Sequence, residues 1–168
     1  MGSRNGKRSS IKLSAVVVLA LVFAVPIAGA IEPDPTRDEY VAEVEPVCKA
    51  NTEANSRILA GVKEQVKQGK LVPAGQRFIR AAGALGKSVR QIAAVPKPSA
   101  DATKLEKWIG YLKQEKTYLQ KIGKALKAGN KFQAQKYAVQ LNRNNNKANN
   151  TVISFGFKHC RIDSSKFL

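Results

Sequence analysis

The chain is poor in the side chains that most often carry catalysis or hold metals. It has one histidine, His159, and two cysteines, Cys48 and Cys160. That supply falls short of a tetrahedral zinc site built from nitrogen and sulfur ligands. A di-iron helical bundle needs Glu-x-x-His pairs, and the sequence contains none. A serine or cysteine nucleophile would have to recruit His159 as its base, and a paired-carboxylate hydrolase would need two close inward acids. Acids are scarce over most of the chain, with only five beyond residue 62. Glycine-rich phosphate loops, dinucleotide fingerprints and a Cys-x-x-Cys-His haem attachment are all missing. No stretch alternates with period two for long enough to make a strand. These absences lead us to expect no enzyme, no metal and no cofactor.

What the chain has in quantity is positive charge. Lysines and arginines number 29 against 12 acids, a formal net charge of +17. The distribution is uneven: residues 31–62 hold seven acids and three bases, whereas residues 63–168 hold 22 bases and five acids. A body so charged is attracted to anionic surfaces in a salt-sensitive way.

The N-terminus reads as an export signal over residues 1–30. Arg4, Lys7, Arg8 and Lys12 make a basic leader, an uncharged apolar run follows from Leu13 to Ile31, and Ala28-Gly29-Ala30 offers the small-residue cleavage pattern. The alternative is an uncleaved anchor, since the apolar run is long enough to span a bilayer. Either way the body is expected outside the cytoplasm, secreted or extracytoplasmic. In that compartment Cys48 and Cys160 are expected to form one structural disulfide. The remaining boundaries are a linker over 31–36 and a helical domain over 37–168.

Four segments of the domain carry helical periodicity. The first runs from about Thr36 to Lys67 with a kink or short break expected at Pro46, and ends at Gly69. The second runs from about Pro73 to Ala94 and stops at Pro96-Lys97-Pro98. The third starts with Ser99 or Asp101 as its cap and ends at Gly129-Asn130, a left-handed cap signal. The fourth is expected to run to Gly156, with Phe157 folding back. Short connections make consecutive helices antiparallel neighbours, so the expected fold is all-α, an up-down-up-down four-helix bundle after the signal segment, with one disulfide. In that topology the two cysteines meet at one end.

The stretch QLNRNNNKANNTV, Gln140 to Val152, lies in the fourth helix. At 3.6 residues per turn, Asn145 falls within the apolar arc between Leu141 and Ala148, with Asn142 and Asn149 flanking it. Asn51 interrupts the apolar line of the first helix in the same way, with Asn55 beside it. Antiparallel counting sets Asn145 level with Glu115, itself between Leu112 and Leu119. A semi-buried polar layer is therefore expected from Glu115, Asn145, Asn51, Asn55 and Asn149. It either fixes helix register or holds a small ligand.

The third helix turns a row of lysines away from the core. Lys113, Lys116, Lys124 and Lys127 lie opposite the apolar arc, Lys121 joins at its edge, and Lys131 and Lys136 extend the patch past the turn. Trp108, Tyr111 and Tyr118 fall on or near the apolar side, so stacking platforms for single-stranded nucleic acid are not in view. Lysine without arginine favours diffuse attraction over forked recognition of phosphate. No specific nucleic acid is expected as a partner. The expected function is attachment to an anionic wall polymer, a membrane surface or an envelope protein through this face. The alternative is a small-ligand carrier or sensor using the polar layer.

Several short motifs point to a known kind of protein. Tyr40 precedes Cys48 by eight residues, KALKAGN spans Lys124 to Asn130, and FGFKHC closes the domain from Phe155 to Cys160. Together with the signal segment, these resemble small exported helical proteins of actinobacterial type, over residues 37–161. The resemblance implies a helical exported domain with a cysteine pair, and assigns neither an activity nor binding residues. The lipoprotein cysteine seen in many such proteins is missing from this sequence.

Overall fold

The computed structural model describes residues 33–161, and the expected signal segment at 1–30 lies outside them. Among the described residues the structure is helical and has no strand. The helices are α1 (Arg37–Leu59), α2 (Val62–Lys67), α3 (Leu71–Ala94), α4 (Ala102–Lys127) and α5 (Lys131–Thr151), with 3-10 turns at Ser99–Asp101 and Ile153–Phe155.

Helix α1 begins with a capping box. The Thr36 hydroxyl accepts from the Glu39 amide at 3.2 Å, and the Glu39 carboxylate accepts from the Thr36 amide at 2.7 Å. Such a cap is worth about 1 kcal/mol. Of the kink or short break expected at Pro46, the break does not occur: α1 is continuous through it. Proline removes the donor that would serve the carbonyl of Ala42. Both residues lie on the exposed side of the helix, where solvent can take over that carbonyl.

The long first helix is interrupted further on instead. Gly61 adopts φ +72°, a left-handed conformation that glycine takes without steric cost, and separates α1 from α2. The freed carbonyls at the end of α1 are held from another helix: Arg77 of α3 donates to Ile58 O at 3.2 Å and to Ala60 O at 2.6 Å. The helix end at Gly129 follows the sequence reading. Gly129 has φ +74°, the Asn130 amide donates to Ala125 O at 2.9 Å, and the Asn130 side chain caps Gln133 at 2.9 Å.

Helix α3 packs on α4, α4 on α5, and α1 on α3, while α2 rests on α3. The α3–α4 contact is close because Gly75 and Gly123 face each other backbone to backbone. Within the α4–α5 pair, Asn144 reaches Tyr111 whereas Tyr137 meets Lys121, so α5 runs back along α4. The core includes Tyr40, Val44, Phe78, Leu85, Ile92, Leu105, Trp108, Leu112, Ile122 and Leu141.

The start of α1 is fastened to the start of α4. Asp101, expected as a cap, makes no side-chain cap bond; it forms a two-point ion pair with Arg37 at 2.8 and 2.9 Å. Asp34 accepts from the Ser99 amide and hydroxyl. Helix α5 ends at Thr151, five residues before the expected Gly156, because a 3-10 turn intervenes; Gly156 itself has φ +69°. Phe157 does fold back. It is buried and stacks on Trp108 at 5.3 Å and on Phe155 at 5.6 Å.

Candidate functional site

Cys48 and Cys160 form the disulfide, joining α1 to the C-terminal segment across 112 residues with Cα atoms 4.9 Å apart. The segment is held by a carboxylate as well. Glu45, one turn before Cys48, accepts the backbone amides of Lys158 at 2.8 Å, His159 at 3.0 Å and Cys160 at 3.4 Å. His159 is exposed. Among the described residues no three histidine, cysteine or acidic side chains gather as a metal site would require.

Six of the seven expected lysines, Lys113, Lys121, Lys124, Lys127, Lys131 and Lys136, are exposed. Lys116 departs from the row. It is half-buried, and its alkyl stem lies against α3, where a Cβ on Gly86 would come within 3.3 Å of it. Lys121 straddles α4 and α5, with Nζ 5.7 Å from the Tyr118 ring centre and 5.4 Å from that of Tyr137. No ion pair among the described residues involves any of the seven. From Lys107 to Arg161 the chain carries 12 bases and one acid, Glu115, which is buried. Along this stretch the lysines therefore far outnumber the acids, and none of the seven is paired with one among the described residues.

One surface residue escaped the sequence reading. Phe132, on the first turn of α5, is 68% exposed, and Lys136 Nζ sits 4.5 Å from its ring centre. An aromatic ring flanked by Lys131 and Lys136 is thus presented to solvent at the α4–α5 turn. Its position next to the cap residue Asn130, off the α5 apolar line of Ala134, Ala138 and Leu141, was the available signal.

The expected polar layer is buried but is not bonded as expected. Glu115 and Asn145 are both inside, and Asn145 is only 1% exposed. Yet both amide atoms of Asn145 and Oε2 of Glu115 have no hydrogen-bond partner, so the acid–amide bond between them is not made. Each buried polar atom left unpaired costs about 1–3 kcal/mol. Burial pushes the Glu115 carboxyl up to about 8, because a low-dielectric site disfavours the charged form. Asn55 is buried and donates to half-buried Asn51 at 3.3 Å; Asn149 is half-buried. Asn144, missed from the sequence, is also buried and donates to Tyr111 O at 2.9 Å. The cavity lined by Asn51, Ser88, Trp108 and the disulfide is about 30 Å³, room for little more than water.

No family model, no curated protein and no solved structure matches the chain. Its own side chains must carry the functional reading.

Proposed function

We propose that the protein is an exported, non-enzymatic helical bundle of up-down-up-down topology that attaches to anionic membrane surfaces of the cell envelope. The observation that carries this reading is the acid-free lysine face ending in an exposed aromatic: Lys113, Lys121, Lys124, Lys127, Lys131 and Lys136 leading to Phe132. Lysines near an anionic bilayer contribute about 1 kcal/mol each, and a phenylalanine ring beside them suits the boundary between headgroups and acyl chains. Diffuse attraction to a polyanion needs the lysines and does not require the ring. Export fits the disulfide, since such bonds persist in oxidising compartments. It also fits the resemblance to actinobacterial exported proteins. A small-ligand carrier at the polar layer has less support: the cavity of about 570 Å³ that Asn51 lines is formed with Ala54, Arg80, Gly83 and Lys87, and neither Glu115 nor Asn145 is among its lining residues.

The test is co-sedimentation of the protein lacking residues 1–30 with vesicles of anionic or zwitterionic phospholipid. Binding is expected to anionic vesicles at low salt, to fade as ionic strength approaches about 1 M, and to weaken in Phe132→Ala and in Lys131→Gln/Lys136→Gln. Absence of binding at low salt overturns the reading. Binding insensitive to Phe132→Ala, matched by binding to a soluble polyanion, moves it to a polymer.

A further inference from the structure

The interruption at Gly61 has an effect on the core at this end of the molecule. Helix α2 leaves the line of α1 and rests on α3. Its sequence VKEQVK places Val62 and Val66 one turn apart, with Lys63 and Lys67 displaced by one position and equally spaced. Val62 is buried and Val66 half-buried, whereas both lysines are exposed. Opposite, α5 presents the small side chains Ala134 and Ala138. Between them a cavity of about 330 Å³ remains, floored by Phe78 of α3 and by Ile122 and Leu126 of α4.

The lining is apolar inside and cationic at the edge. Its exposed residues are Lys63 and Lys67 on α2 and Lys131 and Gln135 on α5, and no acid is among the residues that form it. Three ammonium groups outnumber the one acid of α2, Glu64, which is not among the lining residues, and favour an anion at the mouth, while the interior can take hydrocarbon. The volume lies at the low end of small-molecule sites, which span about 300–1,000 Å³. It accommodates one aliphatic chain and leaves a two-chain lipid no room.

We propose that this cavity binds a single-chain fatty acid, the chain lying between α2 and α5 against Phe78, Ile122 and Leu126, and the carboxylate meeting Lys63, Lys67 and Lys131. The site is separate from the lysine-and-Phe132 face except at Lys131, and the proposal stands whether or not the protein binds membranes.

Titration calorimetry with sodium hexanoate, octanoate, decanoate and dodecanoate, each below its micellar concentration and without vesicles, tests it. Saturable one-to-one binding is expected, tightening by about fourfold per added methylene until the cavity is filled and then levelling off. Lys63→Gln/Lys67→Gln, at exposed positions where folding is undisturbed, is expected to weaken decanoate binding by about tenfold and leave decanol binding unchanged. Ala138→Leu, filling the cavity, is expected to abolish binding of both. Non-saturable heats, affinity independent of chain length, or decanoate binding unaffected by the lysine substitutions would each overturn the proposal. Vesicle binding that persists alongside such a failure leaves the membrane-surface reading intact.

Discussion

Glu115 is a carboxyl group enclosed by helices, with no cation placed against it. Its folded form titrates near 8, raised from 4.5 by burial. Between those values the folded chain holds a proton that the unfolded chain has released, so stability falls as pH rises through that interval. The contribution is complete below about 4.5 and lost as pH passes through about 8. Glu115→Gln has the same shape and cannot ionise. Urea unfolding of both proteins at pH 5, 6, 7 and 8 is expected to show the wild type losing ground to the variant, by at most about 1.4 kcal/mol per pH unit. Parallel stability curves would mean that the carboxyl is not held in a dry site. The inward position of Glu115 and Asn145 was legible, because it follows from spacing against Leu112, Leu119, Leu141 and Ala148. Asn144 was legible too and went unread: Leu141, Asn144, Ala148 and Val152 follow the same three-and-four spacing. The missing bond between Glu115 and Asn145 was not legible, since level on two helices does not fix the distance between side-chain tips.

At the level of elements, proline and glycine act through what surrounds them. Pro46 is tolerated inside α1 because it and Ala42 both face outward, a fact that the periodicity of α1 already contained. Gly61 interrupts α1 because Arg77, from another element, takes the released carbonyls; no local pattern announces such a partner. The same contrast gives a prediction for the glycines of α3 and α4. A Cβ on Gly123 would lie 2.6 Å from Gly75 O and 2.7 Å from Ile79 Cγ1, whereas nothing lies within 4 Å of one on Gly83. Gly123→Ala must push the two helices apart and is expected to destabilise by about 1–3 kcal/mol. Gly83→Ala only stiffens an exposed helical position and is expected to stabilise by about 0.5–1 kcal/mol. A thermal unfolding midpoint for Gly123→Ala that is not lowered would refute the close approach of α3 and α4.

Across the described part of the molecule, the acids and bases have different employment. Asp34 binds Ser99, Glu39 closes the cap of α1, Glu45 gathers the amides of residues 158–160, and Asp101 pairs with Arg37. Several of the few acids are thus occupied in joining the N-terminal helix to the rest, while the lysine face is left to the surroundings. The Cys48–Cys160 bond lies beside the Glu45 contact and closes the same loop covalently. Loop-closure entropy over 112 residues corresponds to about 4–5 kcal/mol of stability at 25 °C. Reduction removes that contribution from the balance but leaves in place the carboxylate-held amides and the Trp108–Phe157 stack. Cys48→Ser/Cys160→Ser is therefore expected to keep its helical circular dichroism at 25 °C and to unfold at a lower denaturant concentration, with a loss of about 2–5 kcal/mol. Trp108, the single tryptophan, touches Phe157, so its fluorescence reports whether the C-terminal segment detaches before the helices melt. Coincident fluorescence and circular dichroism transitions show that Glu45 and Phe157 hold the segment without the sulfur bridge. An earlier fluorescence transition assigns that task to the bridge, and an unchanged midpoint contradicts any stabilising role for it.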